Sequence, residues 1–124
     1  MYIRFAVTQR DKDSGHPMGV FQAARDMRES TDTHPDLVEH LHQLREWFNE
    51  NLASPWDDEG EPRAIFWFKY DASECIRRVW ELVGILREGA YFVRQVTCTR
   101  PGKIVYEDEH QVGAIPFRET RSRL

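Results

Sequence analysis

Ala64-Ile65-Phe66-Trp67-Phe68 is a continuous apolar run, and it is followed by Asp71, Glu74 and then Ile76, Val79, Val83 and Leu86 at helical spacing. The shortness and aromatic content of the run favour a strand covered on both faces, with a buried helical turn as the alternative. Asp71 and Glu74 stand at the spacing of a capping box, with Asp in place of Ser or Thr. The apolar stripe, flanked by Cys75 and Leu82, predicts a helix over 72–88 with Gly89 as its C-cap. Tyr91–Thr99 is rich in aromatic and β-branched residues and reads as the next strand. A strand, a helix and a strand in succession imply a crossover, right-handed if the two strands are parallel neighbours.

Upstream, residues 2–8 alternate. Ile3, Phe5 and Val7 fall on one face, with Tyr2, Arg4 and Thr8 on the other, as in a half-buried strand. Asp11-Lys12-Asp13-Ser14-Gly15 breaks that pattern. Val20, Phe21, Ala24 and Met27 then predict a helix over 17–29. A second helix is expected over 34–52, with Thr33 as its cap and Pro35 in its first turn. Its stripe is Leu37, Leu41, Leu44 and Phe48, continued by Leu52.

Downstream, Arg100-Pro101-Gly102-Lys103 has Pro and Gly where a type II turn needs them. Ile104–Tyr106 is a strand, Glu107-Asp108-Glu109-His110 a hairpin tip, and Gln111–Phe117 the return strand. The expected fold is α+β, a mostly antiparallel sheet of about five strands with about three helices packed on one face. Residues 1–117 form one domain, and 118–124 a basic, solvated C-terminal tail.

The chain has 124 residues, 40% hydrophobic and 31% charged, which fits one globular domain with an unstapled core. Seventeen Lys and Arg face 21 Asp and Glu, a net charge of −4. With Arg118, Arg121 and Arg123 in the tail, the body is more acidic still. Nucleic acid is an unfavourable partner for such a body, because phosphate neutralisation needs Lys and Arg. A basic protein suits it better. No segment approaches the ~20 apolar residues of a membrane span. The N-terminus lacks the pattern of a signal peptide. Two cysteines, Cys75 and Cys98, make no disulfide framework, and a reduced, cytoplasmic protein is expected.

Two acidic clusters are candidate binding surfaces. One is the loop holding Trp56, Asp57, Asp58, Glu59 and Glu61, an aromatic anchor among carboxylates without EF-hand spacing. The other is Glu107, Asp108 and Glu109 with His110. These residues have the chemistry of a cation or acid–base site, but alternation along a strand sends neighbours to opposite faces. His40 and His42 are two apart on a helix and diverge. His16 and His34 precede prolines, where loop or capping roles suffice. Cys75 and Cys98 read as core, although Cys75 sits in a helix's first turn near Arg78. Gly-x-Gly-x-x-Gly, P-loop, Gly-x-Ser-x-Gly and zinc-helix motifs are absent from the sequence. No catalytic residue, metal or cofactor is expected.

Trp67-Phe68-Lys69 and Pro101-Gly-Lys-Ile-Val-Tyr-Glu-Asp-Glu-His-Gln-Val112 resemble a group of small, uncharacterised bacterial proteins. The resemblance extends loosely over most of the chain and implies a bacterial single-domain protein, without an activity. The expected function is a non-catalytic protein-binding module, for example an immunity or inhibitor protein that presents its acidic surface to a basic partner. The alternatives are a small metal-dependent enzyme using Glu107, Asp108 and His110, and a bacterial regulatory protein.

Overall fold

The computed structural model describes residues 1–10, 17–54 and 63–121. The strands are β1 (Tyr2–Arg10), β2 (Pro17–Gly19), β3 (Ile65–Lys69), β4 (Val93–Cys98), β5 (Lys103–Glu107) and β6 (Gln111–Ile115). The helices are α1 (Val20–Glu29), α2 (Pro35–Asn51), α3 (Ser73–Glu88) and the short α4 (Arg118–Arg121). All strand pairs are antiparallel, so the α+β expectation holds, with β2 as a sixth strand and α4 as a fourth helix.

β1 organises the sheet. One of its edges pairs with β4 in an unbroken ladder from Tyr2↔Cys98 to Val7↔Val93. The other edge is shared. β3 takes its start, at Tyr2↔Lys69 and Ile3↔Phe68, and β2 takes its end, at Ala6↔Gly19 and Arg10↔Pro17. β6 and then β5 continue outward from β3. β1 thus lies between β3 and β4, so these two are parallel but not neighbours, and the α3 crossover spans β1.

The alternation in β1 sets the two faces. Ile3, Phe5 and Val7 are buried beneath the helices, together with Phe68 of β3. Ala23, Ala24 and Met27 of α1, Leu41, Leu44 and Phe48 of α2, and Val79, Val83 and Leu86 of α3 complete this core. The opposite face holds a smaller buried cluster of Ala6, Trp67, Val96, Cys98 and Val112. Trp67 is 1% and Phe68 8% exposed on opposite sides of β3, which is the two-sided burial that a continuous apolar run implies.

Several local expectations are corrected. Helix α1 begins at Val20, because Pro17–Gly19 extends the sheet as β2. His34, not Thr33, caps α2: its Nδ1 accepts from the Asp36 N–H at 3.1 Å, while the Thr33 hydroxyl donates to Met27 O at 2.6 Å. Helix α3 starts from Ala72 without a side-chain cap, and Glu74 turns instead to Arg77 and Arg78. Gly89 does end α3, but Ala90 carries the positive φ of 65°. A Cβ on Gly89 would come within 2.9 Å of the Met27 sulfur, so close packing accounts for that glycine. At 100–103 the chain makes a bend in place of the expected type II turn: Gly102 takes φ 140°, and a Cβ there would collide with Ile115 O, so close backbone approach accounts for the glycine. Of the expected tail 118–124, residues 122–124 lie outside the described residues, while Arg118–Arg121 form α4 and Thr120 docks on the body. Thr120 is 3% exposed and donates to Arg100 O at 3.0 Å, and Arg100 faces Glu119 at 3.5 Å.

Candidate functional site

The hairpin between β5 and β6 does not assemble its acidic residues into one site. Glu107 is engaged by Lys69, Nζ to Oε2 at 2.6 Å, and this hydrogen bond holds the ammonium above its ordinary pKa. Asp108 turns inward. Its Oδ1 accepts from the His110 and Gln111 N–H groups at 2.8 and 3.0 Å. Its Oδ2 accepts from the Tyr106 hydroxyl at 2.8 Å and from Gln111 Nε2 at 3.1 Å. Burial pushes this carboxyl up, but the four hydrogen bonds prevail and hold it below the usual carboxylate range. Gln111, itself buried, also donates to Ala53 O at 2.9 Å and ties the tip to the end of α2. Asp108 is therefore the clasp of the turn. Glu109 remains outward, 88% exposed at its side chain, with His110 Nε2 at 3.9 Å. Among the described residues no three His, Cys, Asp or Glu side chains group as a metal site.

Of the other sequence candidates, Trp56, Asp57, Asp58, Glu59 and Glu61 lie outside the described residues. Cys75 and Cys98 are both buried. Burial pushes the Cys75 thiol up, and Asp108, Glu74 and Glu109 add to the shift, outweighing its place at the start of α3. His40 of α2 meets Glu81 of α3 at 3.7 Å. Around it Glu74, Arg77, Arg78 and Glu81 form a mutually neutralising network on α3, with Arg78 also over the Trp47 ring.

The charge balance is different between α1 and α2. A cleft of about 250 Å³ opens there over an apolar floor that includes Phe21, Leu41, Leu44 and Phe48. The Phe21 and Phe48 rings meet edge to face at 5.0 Å, so the floor is firmly packed. Arg25 and Arg28 of α1 and Arg45 of α2 stand around it, and no described carboxylate lines it. Among the described residues Arg25 has only its chain neighbour Asp26 as an ion-pair partner, at 4.0 Å. Arg28 is half-buried, and burial first, then the nearby Arg45 and Arg25, push its guanidinium down, against Glu29. Among the described residues neither Arg28 nor Arg45 has an ion-pair partner. This positive cleft on an acidic protein was not legible in the sequence. Arg25 and Arg28 sit at i and i+3 beside the α1 stripe, but Arg45 joins them only through helix packing.

No protein-family model, curated protein or solved structure matches the chain. Among the described residues no helix is long and apolar enough to cross a membrane. The functional reading rests on the geometry of the cleft.

Proposed function

We propose that the protein is a non-catalytic binding module that receives an acidic segment of a partner protein in the α1–α2 cleft. One observation carries this: Arg25, Arg28 and Arg45 surround an apolar floor that no described carboxylate lines, and Asp26, 4.0 Å from Arg25, is the one ion-pair partner the three have among the described residues. A guanidinium stays protonated near neutral pH, so it binds and orients an anion rather than relaying protons. Arginine beside buried aromatic surface is the composition of an interface hot spot. The matching segment places a Leu, Phe or Trp side chain on the floor and Asp or Glu against the arginines. Charge pairs of this kind slow dissociation and steer the encounter.

The acidic-surface reading, in which an immunity or inhibitor protein meets a basic partner, draws less support. Of Glu107, Asp108 and Glu109, the first is engaged by Lys69 and the second by the turn itself. A metal-dependent enzyme on Glu107, Asp108 and His110 draws less again, since the Asp108 carboxylate is already fully coordinated by protein donors.

A displayed peptide library selected on the purified protein tests the proposal. The expected binders combine Asp or Glu with one large apolar residue, and weaken as salt rises. Against Arg28→Glu/Arg45→Glu, affinity should fall at least about tenfold with an unchanged thermal melt. Selection of basic peptides, lost on Glu109→Lys, would transfer support to the acidic hairpin. Acidic binders indifferent to both arginines would overturn the cleft as their site.

A further inference from the structure

β4 and β5 are the outer strands of the sheet, and their free edges differ. β5 has a bulge between Ile104 and Tyr106 and carries Lys103 and Glu107 at its ends. Bulges and edge charges keep a strand from pairing with another chain. β4 keeps an unbroken register with β1 over all six of its residues, with Arg94 as its one charge.

The ladder shows which backbone groups of β4 face outward. Thr8 N–H donates to Phe92 O at 2.9 Å, so Phe92 turns towards β1, and alternation turns Arg94, Val96 and Cys98 the same way. Val93, Gln95 and Thr97 therefore direct N–H and C=O to the free edge. Arg87 of α3 agrees with this, donating from Nη2 to Val93 O at 3.2 Å. Gln95 and Thr97 remain, both exposed, and among the described residues no strand pairs with them on that side.

Helix α3 overhangs this edge. Trp80, Gly84 and Arg87 stand at i, i+4 and i+7 on one side of the helix. The Trp80 ring meets Phe5 edge to face at 5.0 Å, Phe5 is opposite Gln95, and the Arg87 guanidinium lies 5.9 Å over Trp80. Trp80 is still 41% exposed. Gly84 has no packing reason within the fold, since a Cβ there would meet no described atom within 4 Å outside its own helix backbone. Glycine weakens a helix interior relative to alanine, so the bare backbone beside Trp80 has a cost that internal packing does not explain.

We propose that an extended acidic segment of a partner protein adds to the free edge of β4 as an antiparallel strand, beneath Trp80, Gly84 and Arg87. Gln95 and Thr97 supply its backbone hydrogen bonds, in the pairing sense of every strand pair in this sheet. Side chains alternate along such a segment. Apolar ones turn towards Trp80 and the bare backbone at Gly84, and carboxylates turn to the other face, where Arg94 stands. The charges of β4 and of the Trp80–Gly84–Arg87 side are Arg94 and Arg87, both positive, so an acidic segment complements them. A second copy fits less well. Two-fold pairing of β4 edges sets Arg94 and its counterpart on one face with Arg4 behind each, and burial first, then Arg94, already push the Arg4 guanidinium down. The edge shares no residue with the lining of the α1–α2 cleft.

The test titrates nitrogen-15 labelled protein at constant ionic strength with three capped peptides. These are Thr-Glu-Val-Glu-Val-Thr, its counterpart Thr-Lys-Val-Lys-Val-Thr, and the acidic peptide methylated on both Val nitrogens. The acidic peptide should give saturable shifts of the Gln95 and Thr97 amides and the Trp80 indole, with a dissociation constant of about 1 mM or tighter. Methylation removes the donors that the Gln95 and Thr97 carbonyls need, and should weaken binding at least about tenfold, as should the Lys peptide. Arg94→Glu should weaken it to the same degree. Gly84→Gln should weaken it too, with a melt that is kept or raised, because glutamine favours the helix but fills the space beside Trp80. Arg28→Glu/Arg45→Glu should leave these shifts unchanged. No saturable shift, equal binding of the methylated or Lys peptide, or undiminished binding in Arg94→Glu or Gly84→Gln would each overturn the proposal. Shifts confined to α1 and α2 would assign the peptide to the cleft and overturn the edge as its site. Gln95 and Thr97 shifts that follow protein concentration without peptide would make a second copy the occupant and overturn the acidic segment. The three peptides are compared on the natural sequence, so the result stands even if a variant does not fold.

Discussion

Replacing Asp108 tests whether the hairpin tip is a turn clasp or a presented acidic surface. Its carboxylate accepts four hydrogen bonds, two from backbone N–H groups and two from Tyr106 and Gln111. A hydrogen bond to a charged group is worth about 1.5–3 kcal/mol when well protected. The tip is half exposed, so the set is discounted for solvent and for shared strain. Asp108→Ala should cost about 2–3 kcal/mol. Asp108→Asn keeps an oxygen for the two N–H groups but points an NH₂ at the Gln111 amide, and should cost about 1–2 kcal/mol. At this chain length each kcal/mol lowers the melt by roughly 3–5 °C.

The pH dependence supplies the sharper test. The folded carboxyl titrates below its unfolded value of about 3.9, so its stabilisation is complete above that value. As pH falls through the folded value the stabilisation is lost. Urea unfolding near neutral pH should therefore separate the natural protein from Asp108→Asn, and the gap should narrow progressively as pH falls below the unfolded value. Equal stability at neutral pH, or a gap undiminished in acid, would refute the clasp.

Leu41→Ala removes a side chain only 2% exposed beneath the α1–α2 cleft and should destabilise by about 2–5 kcal/mol in urea. Val83→Ala, at 0% exposure on α3, should cost somewhat less, and neutral effects at both would contradict the helical core. Gly102→Ala should lower the melt clearly, because its φ is 140° and a Cβ would collide with Ile115 O; an unchanged melt would show that the bend adopts another geometry. Cys75 and Cys98 should react slowly with a thiol reagent in the native protein and rapidly in denaturant, and fast native labelling of Cys75 would contradict its burial and raised pKa.

Much of the fold was legible because local periodicity reports burial directly. Ile3, Phe5 and Val7 are buried on one face of β1, and the stripes on α2 and α3 mark the sides that reach the core. A positive φ at Gly102 was readable because that region is nearly reserved for glycine, although the chain bends there without the type II turn. The caps were less legible. Thr33 and His34 both have side chains able to cap, and the Thr33 hydroxyl reaches Met27 O instead.

The candidate sites belong to tertiary structure. Four consecutive polar residues at 107–110 look alike as a string, yet Lys69, 38 positions before Glu107, engages Glu107, while Tyr106, His110 and Gln111 draw Asp108 inward. Arg45 reaches Arg25 and Arg28 only because α1 and α2 pack side by side. Arg4 reads as the exposed half of an alternating strand, yet it is half-buried, because the face away from the helices carries its own buried cluster of Trp67, Val96, Cys98 and Val112. Periodicity within ten residues determines which side of an element meets the core. Which charges then meet depends on strand order and helix packing, and those are decided by contacts between residues far apart in the chain.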